Sequence, residues 1–180
     1  MKPDNICVGN YYKDDDQNKM LKEIKLIDFG LASPYLKSII NKDGEEEEVH
    51  IPKEKKKFQG NFAFSSKNAF REISLSRRDD LISLAYLLCY FYTGKFPFVK
   101  HDLPLLEQIN LIKKKKNKYK PKKFCSKYKC EFLLEYTEAV YKLKFDEEPD
   151  YKYLKFIFQK NLMDNNTVPD WKFEWNDDEF

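Results

Sequence analysis

Metal-binding cysteine patterns are missing from this sequence. The four cysteines, Cys7, Cys89, Cys125 and Cys130, form no Cys-x-x-Cys pair, and His50 and His101 stand far from one another. That spacing excludes the common zinc frameworks. It leaves reduced thiols in a cytosolic or nuclear setting as the expectation. Long apolar runs are missing too. The greasiest stretch, residues 81–92, is interrupted by Ser83 and falls well short of the roughly 20 residues a membrane helix needs. The first residues are polar and lack the apolar core of a secretory leader. The reading is a soluble protein with no membrane partner. A strong excess of one charge is also absent, since the net charge is +3. That small sum hides segregation: residues 45–48 are all glutamate, and 113–123 is almost a lysine tract.

What is present suits a globular core. Hydrophobic residues make up 42% of the chain and aromatics 16%. A chain of 180 residues fits one domain and buries roughly 70% of its unfolded surface. Charged residues, at 35%, exceed the usual quarter, so the surface is densely ionic.

The chemistry concentrates in Glu-Ile-Lys-Leu-Ile-Asp-Phe-Gly-Leu, residues 23–31. Ile24, Leu26 and Ile27 predict a short buried strand, with Asp28 at its end. A carboxylate there suits a hard cation such as Mg²⁺, which takes oxygen donors. Phe29 is expected to pack below the site, and Gly30 to supply backbone angles that a larger residue resists. Upstream, residues 6–8 read as a second short strand. A polar turn over 12–19, containing Asp14, Asp15 and Asp16, would fold the two into a hairpin. That hairpin would bring Asn5 and Asp28 together at one end as oxygen donors for a divalent cation.

Further along, residues 31–70 show no strong periodicity and read as a long, mostly exposed loop. Asp79 and Asp80 suit a helix N-terminus. From Leu81 to Tyr92 the helix they open is apolar nearly all round, hence buried on every side, and it stops at Thr93-Gly94. Residues 103–112 predict an amphipathic helix, followed by the lysine tract as a solvated loop that favours acidic protein partners. Nucleic acid is not favoured as a partner, because Tyr119 is the sole aromatic in that tract. Residues 131–143 predict another helix, and Pro149 the first turn of a last one running through Leu162. Trp171, Phe173 and Trp175 are expected to pack or anchor, and the acidic end, 177–179, to fray.

Several of these stretches share one resemblance. Lys2-Pro3-Asp4-Asn5, a strand, a turn, a strand and Asp28-Phe29-Gly30 resemble the catalytic and metal-binding loops of protein kinases. His50-Ile51-Pro52, the run from Gly60 to Asn68, Ser76-Arg77-Arg78-Asp79-Asp80-Leu81-x-Ser83-Leu84 and Phe145-Asp146-Glu147-Glu148-Pro149-Asp150-Tyr151 are similar to segments of the casein kinase I family.

The resemblance implies a mainly α fold: a kinase-like large lobe with a short β-hairpin at the catalytic and metal loops, and no small lobe. It divides the chain into a partial kinase domain, 1–162, and an aromatic, acidic tail, 163–180. The implied activity is ATP-dependent phosphorylation of serine and threonine in protein substrates of acidic character. ATP and Mg²⁺ are the implied cofactors. Asn5 and Asp28 would hold the metal, Lys2 would steady the transferring phosphate, and Asp80 and Asn61 would support the catalytic loop.

The family's catalytic aspartate would stand immediately before Met1, and its glycine-rich loop has no counterpart here. The 180 residues as written are therefore expected to be inactive, and a non-catalytic protein-binding module is the alternative. Ala63 replaces an arginine that the family uses for phosphorylated substrates.

Overall fold

The computed structural model describes residues 1–8 and 24–168. The expected turn at 12–19 and the aromatic and acidic tail at 169–180 lie outside the described residues. Helices dominate, but the architecture is mixed rather than mainly α: five α-helices accompany two separate two-stranded antiparallel sheets among the described residues. None of these helices is long and apolar enough to cross a membrane.

The first sheet is the expected hairpin. β1 (Ile6–Val8) pairs antiparallel with β2 (Ile24–Leu26) in the register Ile6 to Leu26 and Val8 to Ile24. Its burial differs from expectation. All three residues of β2 are exposed, and Ile27 is 47% exposed. A two-stranded ribbon has no second layer of its own; Ile6 of β1 packs against the core.

The second sheet corrects the reading of 31–70 as a loop. β3 (Leu36–Ile40) pairs with β4 (Glu46–His50), and the amide of Ile51 extends the ladder to the carbonyl of Tyr35 at 2.9 Å. Asn41 builds the turn, its side-chain oxygen accepting the amides of Asp43 and Glu45. Gly44 takes φ 82°, a region glycine enters without steric cost. Glu46, Glu47 and Glu48 of the glutamate block thus lie in a strand, their charges held apart by alternation between the two faces.

α1 (Arg77–Thr93) is the central element. Ser76 and Asp79 form a reciprocal capping box, and Gly94 closes the helix at φ 64°. The helix is not buried on every side: Phe91 is 53% and Tyr92 65% exposed. Its buried face, with Ile82, Ala85, Tyr86, Leu87 and Cys89, supplies the middle of the core.

α2 (Leu105–Lys118) and α3 (Pro121–Tyr128) replace the predicted short helix and solvated lysine loop. Straight-chain lysines are good helix formers, and Pro121 starts α3 where its missing N–H costs nothing. A 3-10 turn (Glu131–Leu133) leads into α4 (Leu134–Lys142). α5 (Tyr151–Asp164) starts two residues after Pro149, so the proline precedes the first turn; Asp150 caps the helix by accepting the amide of Tyr153. The helix continues past residue 162.

α1 packs against α4, which also contacts α3 and α5. The rings of Tyr86, Phe98 and Phe124 meet at centroid distances of 5.1, 5.2 and 5.6 Å, edge-on or offset as aromatic quadrupoles prefer. Tyr136 ties α4 to α1 by donating to the carbonyl of Leu81 at 3.0 Å.

Candidate functional site

The hairpin sets the first part of the site. A 3-10 turn (Pro3–Asn5) delivers Asn5 to the start of β1, and the Asn5 carbonyl accepts the amide of Ile27 at 3.0 Å. Across this junction the Asn5 side-chain amide donates to Oδ2 of Asp28 at 3.4 Å. The predicted pair is therefore adjacent.

Asp28 itself adopts φ 61°, a left-handed conformation that aspartate tolerates better than most residues. Gly30 has no positive φ; the unusual backbone belongs to Asp28, two residues earlier than expected. A Cβ on Gly30 would sit 3.4 Å from Oδ1 of Asp28, an ordinary contact. Phe29 does not pack beneath the site. It is 67% exposed, as Leu31 is at 66%, because none of the described helices covers this side of the hairpin.

Two oxygen-bearing side chains, one amide and one carboxylate, fit the donor chemistry of a hard cation. They could supply no more than two protein ligands, and it is the amide nitrogen of Asn5 that faces Asp28; no cluster of three or more His, Cys, Asp or Glu able to hold a metal occurs among the described residues. Lys2 precedes the turn, half-buried, its carbonyl accepting the amide of Asn5 at 3.1 Å.

Beside the hairpin lies a cavity of about 200 Å³, lined by Met1, Leu31, Ser33, residues 56–60, Ser65, Ser66 and the α1 residues Asp79, Asp80 and Ser83. Asp80 thus faces the beginning of the chain. Surrounding protein pushes its carboxyl above the ordinary range, the positive amino terminus pulls the other way, and Asp79 adds to the rise. Asn61 is used locally. Its side-chain oxygen accepts the amides of Ala63 at 2.8 Å and Phe64 at 3.3 Å, fixing the turn that follows Gly60.

Two residues matter more here than their sequence reading foretold. Asp79, 2% exposed, accepts from Ser66 Oγ at 2.5 Å, Asn68 Nδ2 at 2.9 Å and the Ser76 amide at 3.0 Å. It therefore anchors residues 66–68 to the start of α1. The Ser-x-x-Asp spacing before an apolar run was the available signal.

Lys116, 1% exposed, donates from Nζ to the carbonyls of Phe62, Ala63 and Ser65 at 2.9, 2.8 and 2.5 Å. Its signal was periodicity: Ile109, Ile112 and Lys116 share one helical stripe. Within the lysine tract that stripe was easily overlooked. No protein-family model matches the chain.

Proposed function

We propose that this chain is the large, helical lobe of a serine/threonine protein kinase of the casein kinase I type. The observation that carries the reading is the approach of Asn5 to Asp28, 3.4 Å apart at one end of the β1–β2 hairpin. The order of elements adds support. The hairpin is followed by a long segment anchored on Asp79, and then by a core helix whose Asp80 looks into the cavity that Met1 lines.

In this reading Asn5 and Asp28 hold Mg²⁺, and Lys2 contacts the transferring phosphate of ATP. The metal supplies neutralisation of the charge on the β- and γ-phosphate oxygens. The acceptors are serine and threonine hydroxyls of acidic protein substrates. The general base that the resemblance calls for falls immediately before Met1, outside these residues. Free thiols support the cytosol or nucleus as its setting.

Paramagnetic Mn²⁺ tests the reading. Added with ATP, it should broaden the NMR signals of the Asn5 side-chain amide and the Gly30 backbone, and Asp28→Asn should abolish the effect. Broadening that is absent in the wild type, or that persists in Asp28→Asn, refutes the metal site.

A second reading is favoured by one observation. Ile24, Leu26, Phe29 and Leu31 are 63%, 49%, 67% and 66% exposed around the same loop. Exposed apolar surface of this kind marks contacts with other protein. A non-catalytic protein-binding module is the reading that stands if Mn²⁺ leaves Asn5 untouched.

A further inference from the structure

We propose that the outer face of α5 is a docking surface for the chain's own final segment, residues 169–180, whose aromatic side chains cover Phe156 and Met163. The inference stands apart from the kinase reading and uses none of the residues around Asp28.

The end of α5 turns the chain aside at once. Asn166 takes φ 52°. Its amide donates to the carbonyl of Met163, and the Thr167 amide donates to the carbonyl of Leu162, both at 2.9 Å. Those two bonds make a Schellman stop, which satisfies the last carbonyls and takes the chain off the helix axis. The Thr167 hydroxyl adds a bond to the same Leu162 carbonyl at 3.0 Å. Val168 therefore leaves beside the last turn of α5, and Pro169 follows it.

The outer face of the helix has no cover among the described residues. Leu154 and Ile157 are buried, so the opposite side carries Lys152, Phe156, Gln159 and Met163 at helical spacing. Phe156 is 50% and Met163 66% exposed. Lys152 and Lys155 flank them in the open. Neither lysine enters an ion pair among the described residues, whereas Lys160 of the same helix is paired with Glu135 at 3.1 Å.

The final segment complements this face. In Pro169-Asp170-Trp171-Lys172-Phe173-Glu174-Trp175 aromatic and charged residues alternate, so an extended backbone would put Trp171, Phe173 and Trp175 on one side. Asp177, Asp178 and Glu179 come after them. Laid back along α5, the rings would meet Met163 and then Phe156, and the acidic end would arrive near Lys155 and Lys152, where opposite charges attract. Reach is sufficient: residues 169–180 span about 40 Å when extended, and α5, with 14 residues, is about 21 Å long. Burial of indole and phenyl rings against apolar side chains supplies the driving force.

Trp171 and Trp175 are the two tryptophans of the whole chain, so the intrinsic fluorescence of the full-length protein reads this segment alone. Blue-shifted emission is expected, with acrylamide quenching well below that of the urea-unfolded chain. Phe156→Ser with Met163→Ser, both at exposed positions, should raise quenching to the unfolded level while far-UV circular dichroism stays unchanged. Phe156→Ser alone should give a smaller rise and serves if the double variant unfolds. Lys152→Glu with Lys155→Glu should also raise quenching, by setting like charges against the acidic end. Tyr92→Ser, at an exposed ring of α1, should leave the emission unchanged.

Native quenching equal to that of the unfolded chain overturns the proposal, as does shielding that survives the double variant. An equal rise in the Tyr92 variant places the segment elsewhere and overturns it as well. Shielding that fades on dilution assigns the contact to a second copy and refutes docking within one chain.

Discussion

The ammonium of Lys116 donates to the carbonyl of Ala63 at 2.8 Å, joining residues 53 positions apart. Two further carbonyls, of Phe62 and Ser65, complete its donors, and the rings of Phe70, Tyr86 and Phe98 lie within 5.4, 4.7 and 5.5 Å of it. One lysine thus fastens residues 62–65 to α2 across the aromatic core. Lys116→Met keeps the volume but leaves three carbonyls without that donor. A loss of about 3 kcal/mol is expected, measured as a lower urea midpoint with unchanged m.

Burial holds the Lys116 pKa well below its ordinary 10.5, while the three carbonyls favour the ammonium and oppose that shift. In the interval between the folded pKa and 10.5, the unfolded chain binds the extra proton. Stability contributed by this residue therefore rises with pH through that interval. Urea midpoints measured from neutral pH upward should rise in the wild type relative to Lys116→Met. A parallel pair of curves would show that the ammonium is not disfavoured in the fold.

Asp79 and Asp80 are neighbours in sequence with unequal roles. Asp79 satisfies three donors from inside the core, whereas Asp80 is exposed and faces the cavity. Asp79→Ala should cost about 2–3 kcal/mol by leaving the Ser66, Asn68 and Ser76 donors unpaired. Asp80→Ala should stay within about 1 kcal/mol. Thermal unfolding of the two variants side by side decides between this ordering and its reverse.

Phe29 is 67% exposed, so it contributes little to the core. Phe29→Ser is expected to shift stability by no more than about 0.5 kcal/mol. Phe64→Ala, at a position with no exposure, should cost about 3–5 kcal/mol. Equal losses in denaturant titrations would mean that the hairpin's apolar ledge is covered in solution.

The thiols should react in two classes. Cys89, Cys125 and Cys130 are buried together, with Cys130 Sγ 3.6 Å from Cys89 Sγ, while Cys7 is half-buried. Contact with Cys125 lowers the Cys130 pKa, but the Cys89 thiol and burial outweigh it and push it up to about 12, whereas contact with Cys130 lowers the Cys89 pKa. A thiol-specific chromogenic reagent should modify Cys7 first in the native protein and the other three only after unfolding, since buried thiols are protected. Rapid native modification of Cys89 would contradict the packing.

Local patterns in the sequence were enough to define α1. Ser76 and Asp79 stand at capping spacing, apolar residues recur at helical intervals, and Gly94 ends the run. The β1–β2 pairing and the approach of Asn5 to Asp28 were legible for the same reason, since a hairpin's register follows from its strands and turn. The Asp43-Gly44 turn also carried a hairpin signal, but four consecutive glutamates read as a loop because their β preference is poor.

Burial was decided by tertiary structure alone. Ile24 and Phe29 look like core residues and face outward, because no described element lies over them, whereas Lys116 looks like surface and is enclosed by three rings. Side-chain chemistry states what a residue prefers; only the arrangement of the other elements determines whether a partner is there to meet it.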